Sequence, residues 1–144
     1  MSFVRALRSA TDETEFDPNR PSDIDAEGHR PIRMELDLER LQAEQPNLEW
    51  YRPEREDMWR FGALLPLDPA VSHERSSIAP LGEGCTPLVP VPDHPVADRH
   101  GFSLAIKDEG GLDPGSATNP TQSFKDRGLA VVVAMARHHG IDRL

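Results

Sequence analysis

The longest apolar stretch runs from Leu129 to Ala136 and reads Leu-Ala-Val-Val-Val-Ala-Met-Ala. It is too long for most strands and is followed by Gly140, so it predicts a helix. Apolar almost all round, that helix asks for burial on several sides. Ser123 and Asp126 have capping-box spacing, which sets the helix start at Ser123 and puts Lys125 in the first turn. Upstream, Phe102, Leu104 and Ile106 alternate with Ser103, Ala105 and Lys107, the period of a strand. Thr86 to Val91 is apolar but carries Pro87 and Pro90, which suits an edge strand or extended segment, because proline cannot donate to a ladder. Asp93 to Gly101 between them reads as a turn, so the two runs predict a hairpin or a strand pair. Ile141 to Leu144 reads as the approach to another strand.

Further upstream the pattern thins. Pro53 to Leu65 predicts a helix, with proline at its start, acids in its first turn, and Met58, Phe61, Leu64 and Leu65 on one face. Trp50 and Tyr51 read as packing residues. The alternation beginning at Met34 is strand-like, and Asp37 to Gln45 suits a short helix ending before Pro46. Residues 1–33 are polar, acidic and aperiodic, which reads as a flexible extension. The chain therefore divides into an extension (1–33), a small helical subdomain (34–75) and a segment of α/β character (76–144).

Composition narrows the classes. In 144 residues, 37% are hydrophobic and 28% charged, compatible with a soluble globular protein. The net charge of −9 makes nucleic acid and anionic membrane poor partners. No apolar run approaches the ~18 residues of a membrane span. The start, Met1 to Leu7, lacks a signal peptide's apolar core. A single cysteine, Cys85, leaves no internal disulfide and fits a reducing cytoplasm. The six histidines show no ligand spacing, so no metal site is expected.

Lys125 is the residue with chemistry to explain. A helix amino terminus carries partial positive charge, so a cation there loses about 0.3–1 kcal/mol. The position suits a lysine whose amine is engaged covalently as a Schiff base. By the local pattern alone, a solvated lysine on an amphipathic helix fits equally. Of sixteen basic residues only Lys107 and Lys125 are lysines, and arginine cannot form an imine under ordinary conditions.

Asn119-Pro120-Thr121-Gln122-Ser123-Phe124-Lys125-Asp126-Arg127-Gly128 resembles the cofactor-lysine motif of the threonine synthase family. These are fold-type-II enzymes, related to tryptophan synthase beta, that use pyridoxal 5'-phosphate. The family typically reads N-P-T-G-S-F-K-D-R-G, so Gln122 stands where glycine is usual. If that position needs positive φ, glutamine strains the loop. Leu81-Gly82-Glu83-Gly84-Cys85-Thr86-Pro87-Leu88 is similar to the family's L-G-E-G-x-T-P-L. Ile106-Lys107-Asp108-Glu109-Gly110 resembles the strand before the lysine loop. Met58-Trp59-Arg60-Phe61 with Leu64-Leu65-Pro66 resembles the family's W-R-Y entry. The four motifs occur in the family's order.

The resemblance implies the amino-terminal part of a fold-type-II enzyme, an incomplete open sheet with helices, preceded by the acidic extension. It implies Lys125 as the catalytic, Schiff-base lysine. Phe124 would lie beside the cofactor or in the core, the core being the better reading. Ser123 and Arg127 are weaker substrate candidates; Ser123 and Asp126 serve better as cap residues, and Arg127 pairs with Asp126 or Glu109. Asn119 and Thr121 fix the loop. The implied reaction takes O-phosphohomoserine and water to threonine and phosphate. The family's zinc ribbon is absent, since no cysteine precedes Cys85.

The phosphate-binding glycine loop and ring-hydroxyl asparagine of such enzymes lie downstream of the lysine motif. The expectation is therefore an incomplete fragment that alone binds cofactor poorly, forming a homo-oligomer or joining a complementing carboxy-terminal half. The alternatives are an amino-acid ammonia-lyase or dehydratase of the same fold type, a non-catalytic remnant or split half, or an unrelated acidic α/β interaction domain.

Overall fold

The computed structural model describes residues 2–20, 28, 30–111 and 119–143. It is a mixed α/β structure with two small sheets. Strands β1 (Val4–Ser9), β2 (Glu15–Phe16) and β3 (Ile32–Leu36) form an antiparallel sheet in the order β2-β1-β3. Helix α1 (Leu38–Glu44) follows, then a 3₁₀ helix (Met58–Leu64) and the single turn α2 (Ser72–Arg75). Strand β4 (Leu88–Pro90), helix α3 (Pro95–His100), strand β5 (Ala105–Lys107) and helix α4 (Lys125–His138) complete the order.

The amino-terminal sheet corrects the reading of residues 1–33 as a flexible extension. The apolar signal there is thin because few side chains point inward; Phe3 and Ala6 are each 1% exposed. The outward positions form a ladder of opposite charges. Arg8 Nη2 donates to Glu15 at 2.7 Å and Arg8 Nε to Glu35 at 2.9 Å, while Arg5 reaches Glu35 at 3.0 Å. Cross-strand ion pairs stabilise a sheet without leaving an apolar period in the sequence. The Phe3 amide donates to Ala63 O at 2.8 Å and the Asp37 amide to Phe3 O at 2.9 Å, so the sheet is tied to the 3₁₀ helix. Phe3, Leu41 and Ala63 form one buried cluster, flanked by Trp50 and Leu64. The remainder of the expected extension, residues 1, 21–27 and 29, lies outside the described residues.

The helix expected over Pro53–Leu65 is shorter and tighter. Asp57 accepts from the Trp59 amide at 3.0 Å and starts a 3₁₀ helix at Met58, while the Arg52 amide folds back onto Arg60 O at 3.0 Å. Three residues per turn changes the inward set. Met58, Trp59, Gly62 and Ala63 are buried, and Phe61 is exposed. The turn expected at 93–101 contains α3, with Pro95 at its start and Gly101 in the left-handed conformation at its end. Strands β4 and β5 pair antiparallel, as the alternation predicts, with Val89 opposite Ile106. Residues 141–143 take no regular structure.

Helix α4 buries one side only. Ala134 packs with Met58, Trp59, Leu67 and Ile78, supported by Ala130, Val131 and Met135. Leu129, Val132 and Val133 are exposed, so burial on several sides is not seen among the described residues. None of the described helices is long and apolar enough to cross a membrane.

The charge ladder makes the first sheet pH-sensitive. Hydrogen bonds from Arg8 and then Arg5 pull the Glu35 carboxyl down to about 2. A depressed carboxylate stabilises the fold above its ordinary value and loses that contribution as pH falls toward the folded value. Acidification from pH 5 to pH 2 should therefore loosen β1–β3, while Glu35→Gln flattens that response. Amide exchange at Arg8 and Arg33 followed across this range measures it; identical pH profiles in the two proteins would refute the assignment.

Candidate functional site

The four sequence motifs meet in one hydrogen-bonded network. Glu83 is 2% exposed. Its carboxyl accepts from Trp59 Nε1 at 2.9 Å and from the Leu81 amide at 2.7 Å, while its carbonyl accepts from the Met58 amide at 2.7 Å. Gly84 must be glycine here. Its φ is +98°, and a Cβ would lie 2.9 Å from Met58 N. The Gly84 amide donates to Asn119 Oδ1 at 3.0 Å, and Asn119 is fully buried. Asn119 Nδ2 donates to Glu109 Oε2 at 2.7 Å. Thr86 Oγ1 donates to Glu109 Oε1 at 3.3 Å, and Arg127 Nη1 also bonds Glu109 Oε2.

Glu109 thus ties the segment after β5 to the start of α4. The Arg127 guanidinium, aided by the Asn119 amide, holds its carboxyl below the usual carboxylate range against the opposing effect of burial. Of the two partners expected for Arg127, the structure selects Glu109. A substrate anion at Arg127 would have to share that guanidinium.

Helix α4 begins at Lys125 with Phe124 as its N-cap, one residue later than a capping box on Ser123 requires. The Asp126 amide donates to the Ser123 carbonyl at 3.1 Å, leaving Ser123 Oγ to accept from the Lys125 amide at 3.3 Å. The Asp126 carboxylate turns back to accept from the Thr121 amide at 2.7 Å and from Thr121 Oγ1. The spacing of Ser123 and Asp126 is that of a box, but Thr121 supplies nearer donors and the reciprocal pair does not form. Phe124, at the N-cap, is 61% exposed. This corrects its reading as a core residue: Trp59, Leu67 and Ile78 already occupy the space against α4.

Lys125 is exposed at the first helical residue, and among the described residues its amine has no bonded partner. Lys107 differs: its Nζ donates to Thr86 O at 2.6 Å. Beside the helix start lies a cleft of about 270 Å³, lined by Leu81, Glu83, Thr121, Asp126, Leu129 and Val133 among others. Sequence reasoning missed the role of Glu83 and, beyond the pairing with Arg127, that of Glu109; both acids stand in the quoted motifs, but Trp59 and Asn119, which bond them, are distant in sequence. Residues 112–118, before the lysine motif, lie outside the described residues.

Two threonine synthases are similar to parts of this chain. That of Halalkalibacterium halodurans is 39% identical over 67 residues, covering 46% of this chain and 16% of the relative. That of Bacillus sp. (strain ULM1) is 33% identical over 85 residues, covering 59% of this chain and 20% of the relative. The matched region thus spans a fifth or less of these relatives' lengths. No protein-family model matches the chain, and no solved structure matches it.

Gln122 stands in the left-handed region, φ +59°, where a side chain is disfavoured. Gln122→Gly should raise the unfolding free energy by about 1 kcal/mol, less the greater freedom glycine gives the unfolded chain. Urea denaturation measures this; a loss of stability would refute the strain.

Proposed function

We propose that this chain carries the cofactor lysine of a pyridoxal-phosphate-dependent lyase of the threonine synthase kind, built on the amino-terminal part of a fold-type-II enzyme. The reaction is conversion of O-phosphohomoserine and water to threonine and phosphate. The observation that carries this reading is the state of the two lysines. Lys107 is committed to the Thr86 carbonyl, whereas Lys125, without a bonded partner among the described residues, presents its primary amine from a helix start held on both sides.

The donor set fits the cofactor's aldehyde, which needs an accessible, unpaired amine. The positive end of α4 favours an anion nearby, such as a cofactor or substrate phosphate. When bound, the cofactor supplies an electron-withdrawing ring that stabilises negative charge at a substrate carbon. Lys125 Nζ is the group that binds the aldehyde and, when free, moves the proton at the substrate α-carbon. Asp126 and Arg127 hold the helix turn from which that amine projects, and Phe124 offers an exposed apolar face beside it. The partial matches to two threonine synthases favour this lyase over an ammonia-lyase of the same fold type.

The protein in its native assembly, mixed with pyridoxal phosphate, reduced with borohydride and mapped by peptide mass, should carry the pyridoxyl group on Lys125. Lys125→Ala should remove that label, and a label confined to Lys107 would overturn the assignment. For the reaction, phosphate release from O-phosphohomoserine should depend on Lys125 in the protein's native assembly. Ammonia and a 2-oxo acid released from threonine or serine would move the chain to the ammonia-lyases.

A further inference from the structure

We infer that Asn119 is a positioning residue for Lys125, its buried carboxamide joining the Gly84 amide to the Glu109 carboxylate and so fixing the start of α4. This rests on Lys125 being the reactive lysine proposed above.

The two neighbours of Asn119 make opposite demands. Gly84 presents an N–H and needs an acceptor; Glu109 presents a carboxylate and needs a donor. Among side chains of this size only a carboxamide offers both. The bonds also fix its orientation, with Oδ1 toward Gly84 and Nδ2 toward Glu109. Neither neighbour can adapt easily. Gly84 is held against Met58, and Glu109 also receives Thr86 and Arg127. Asn119 is fully buried, so water cannot replace a lost partner.

The backbone of Asn119 acts on the same structure. Its carbonyl accepts from the Gln122 amide at 2.9 Å, closing the turn that leads to α4. From the other side, Glu109 grips Arg127, two residues beyond Lys125. Lys125 therefore sits between two attachments that both return to the pair Asn119 and Glu109. The charge pattern is part of the device: one carboxylate, one guanidinium and one neutral amide.

Asn119→Asp keeps the shape but sets a second carboxylate against Glu109. At pH 8, borohydride-trapped labelling of Lys125 by pyridoxal phosphate, relative to Lys107 in the same chain, should fall about tenfold, as expected for loss of a buried hydrogen bond. The fall should be smaller at pH 6, where the acid pair can share a proton. The double variant Asn119→Asp with Glu109→Gln restores a donor–acceptor match at this contact but gives up the Arg127–Glu109 ion pair, so it should recover part of the lost ratio. Amide exchange across 121–127 should quicken in Asn119→Asp and slow again in the double variant.

An unchanged labelling ratio in folded Asn119→Asp overturns the inference, as does a folded double variant that stays slow at every pH. Where Asn119→Asp alone fails to fold, the double variant decides. If wild-type Lys125 takes no label, the proposed function fails, and exchange across 121–127 decides the positioning role separately.

Discussion

A buried carboxyl group organises this chain. Among the described residues, Glu83 is held by N–H donors, those of Trp59 and Leu81, with no cation beside it. A polar group buried that completely is tolerated only when its hydrogen bonds are made. Making them joins the 3₁₀ helix to the segment before β4 and sets Trp59 in the centre of the main apolar cluster. It also sets the backbone of the next residue, Gly84, whose amide then has one direction in which to find an acceptor. Asn119 answers it, and through Asn119 the constraint passes to Glu109, Arg127 and the first turn of α4. Lys125 is thus placed by satisfied polar groups more than by apolar packing.

That arrangement explains what the sequence made legible. Lys125 could be singled out because its neighbours carry a local pattern and its amine sits badly at a helix start. The β4–β5 pair could be anticipated because alternation and proline placement are local signals. Glu83 gave no such signal: an acid in a motif looks the same whether it is solvated or buried against a tryptophan 24 positions away. The first sheet escaped notice for a related reason. Its outward positions are arginine and glutamate, and the pairing that stabilises them is visible only across strands.

The misplaced helix start has the same origin. Ser123 and Asp126 have the spacing of a reciprocal cap, but spacing does not say which donor lies closer. Thr121 presents two donors to Asp126, and the serine turns to a different amide. Local rules rank the options that a segment has by itself; here a turn four residues upstream, with Gln122 at positive φ, supplies another. Phe124 follows from that shift, because ending the turn at Lys125 leaves the aromatic ring outside the cluster.

The outward side of the first sheet and the cluster around Trp59 are held by forces of different kinds. The Arg8 ladder of the first sheet is largely electrostatic and solvent-facing, so its attraction fades once the screening length drops to a few ångströms at about 1 M salt. The cluster around Trp59 is apolar, and excluded salts such as sulfate strengthen burial of that sort. Raising the concentration of such a salt therefore pulls the molecule in two directions, loosening its amino-terminal edge while tightening the platform beneath Lys125.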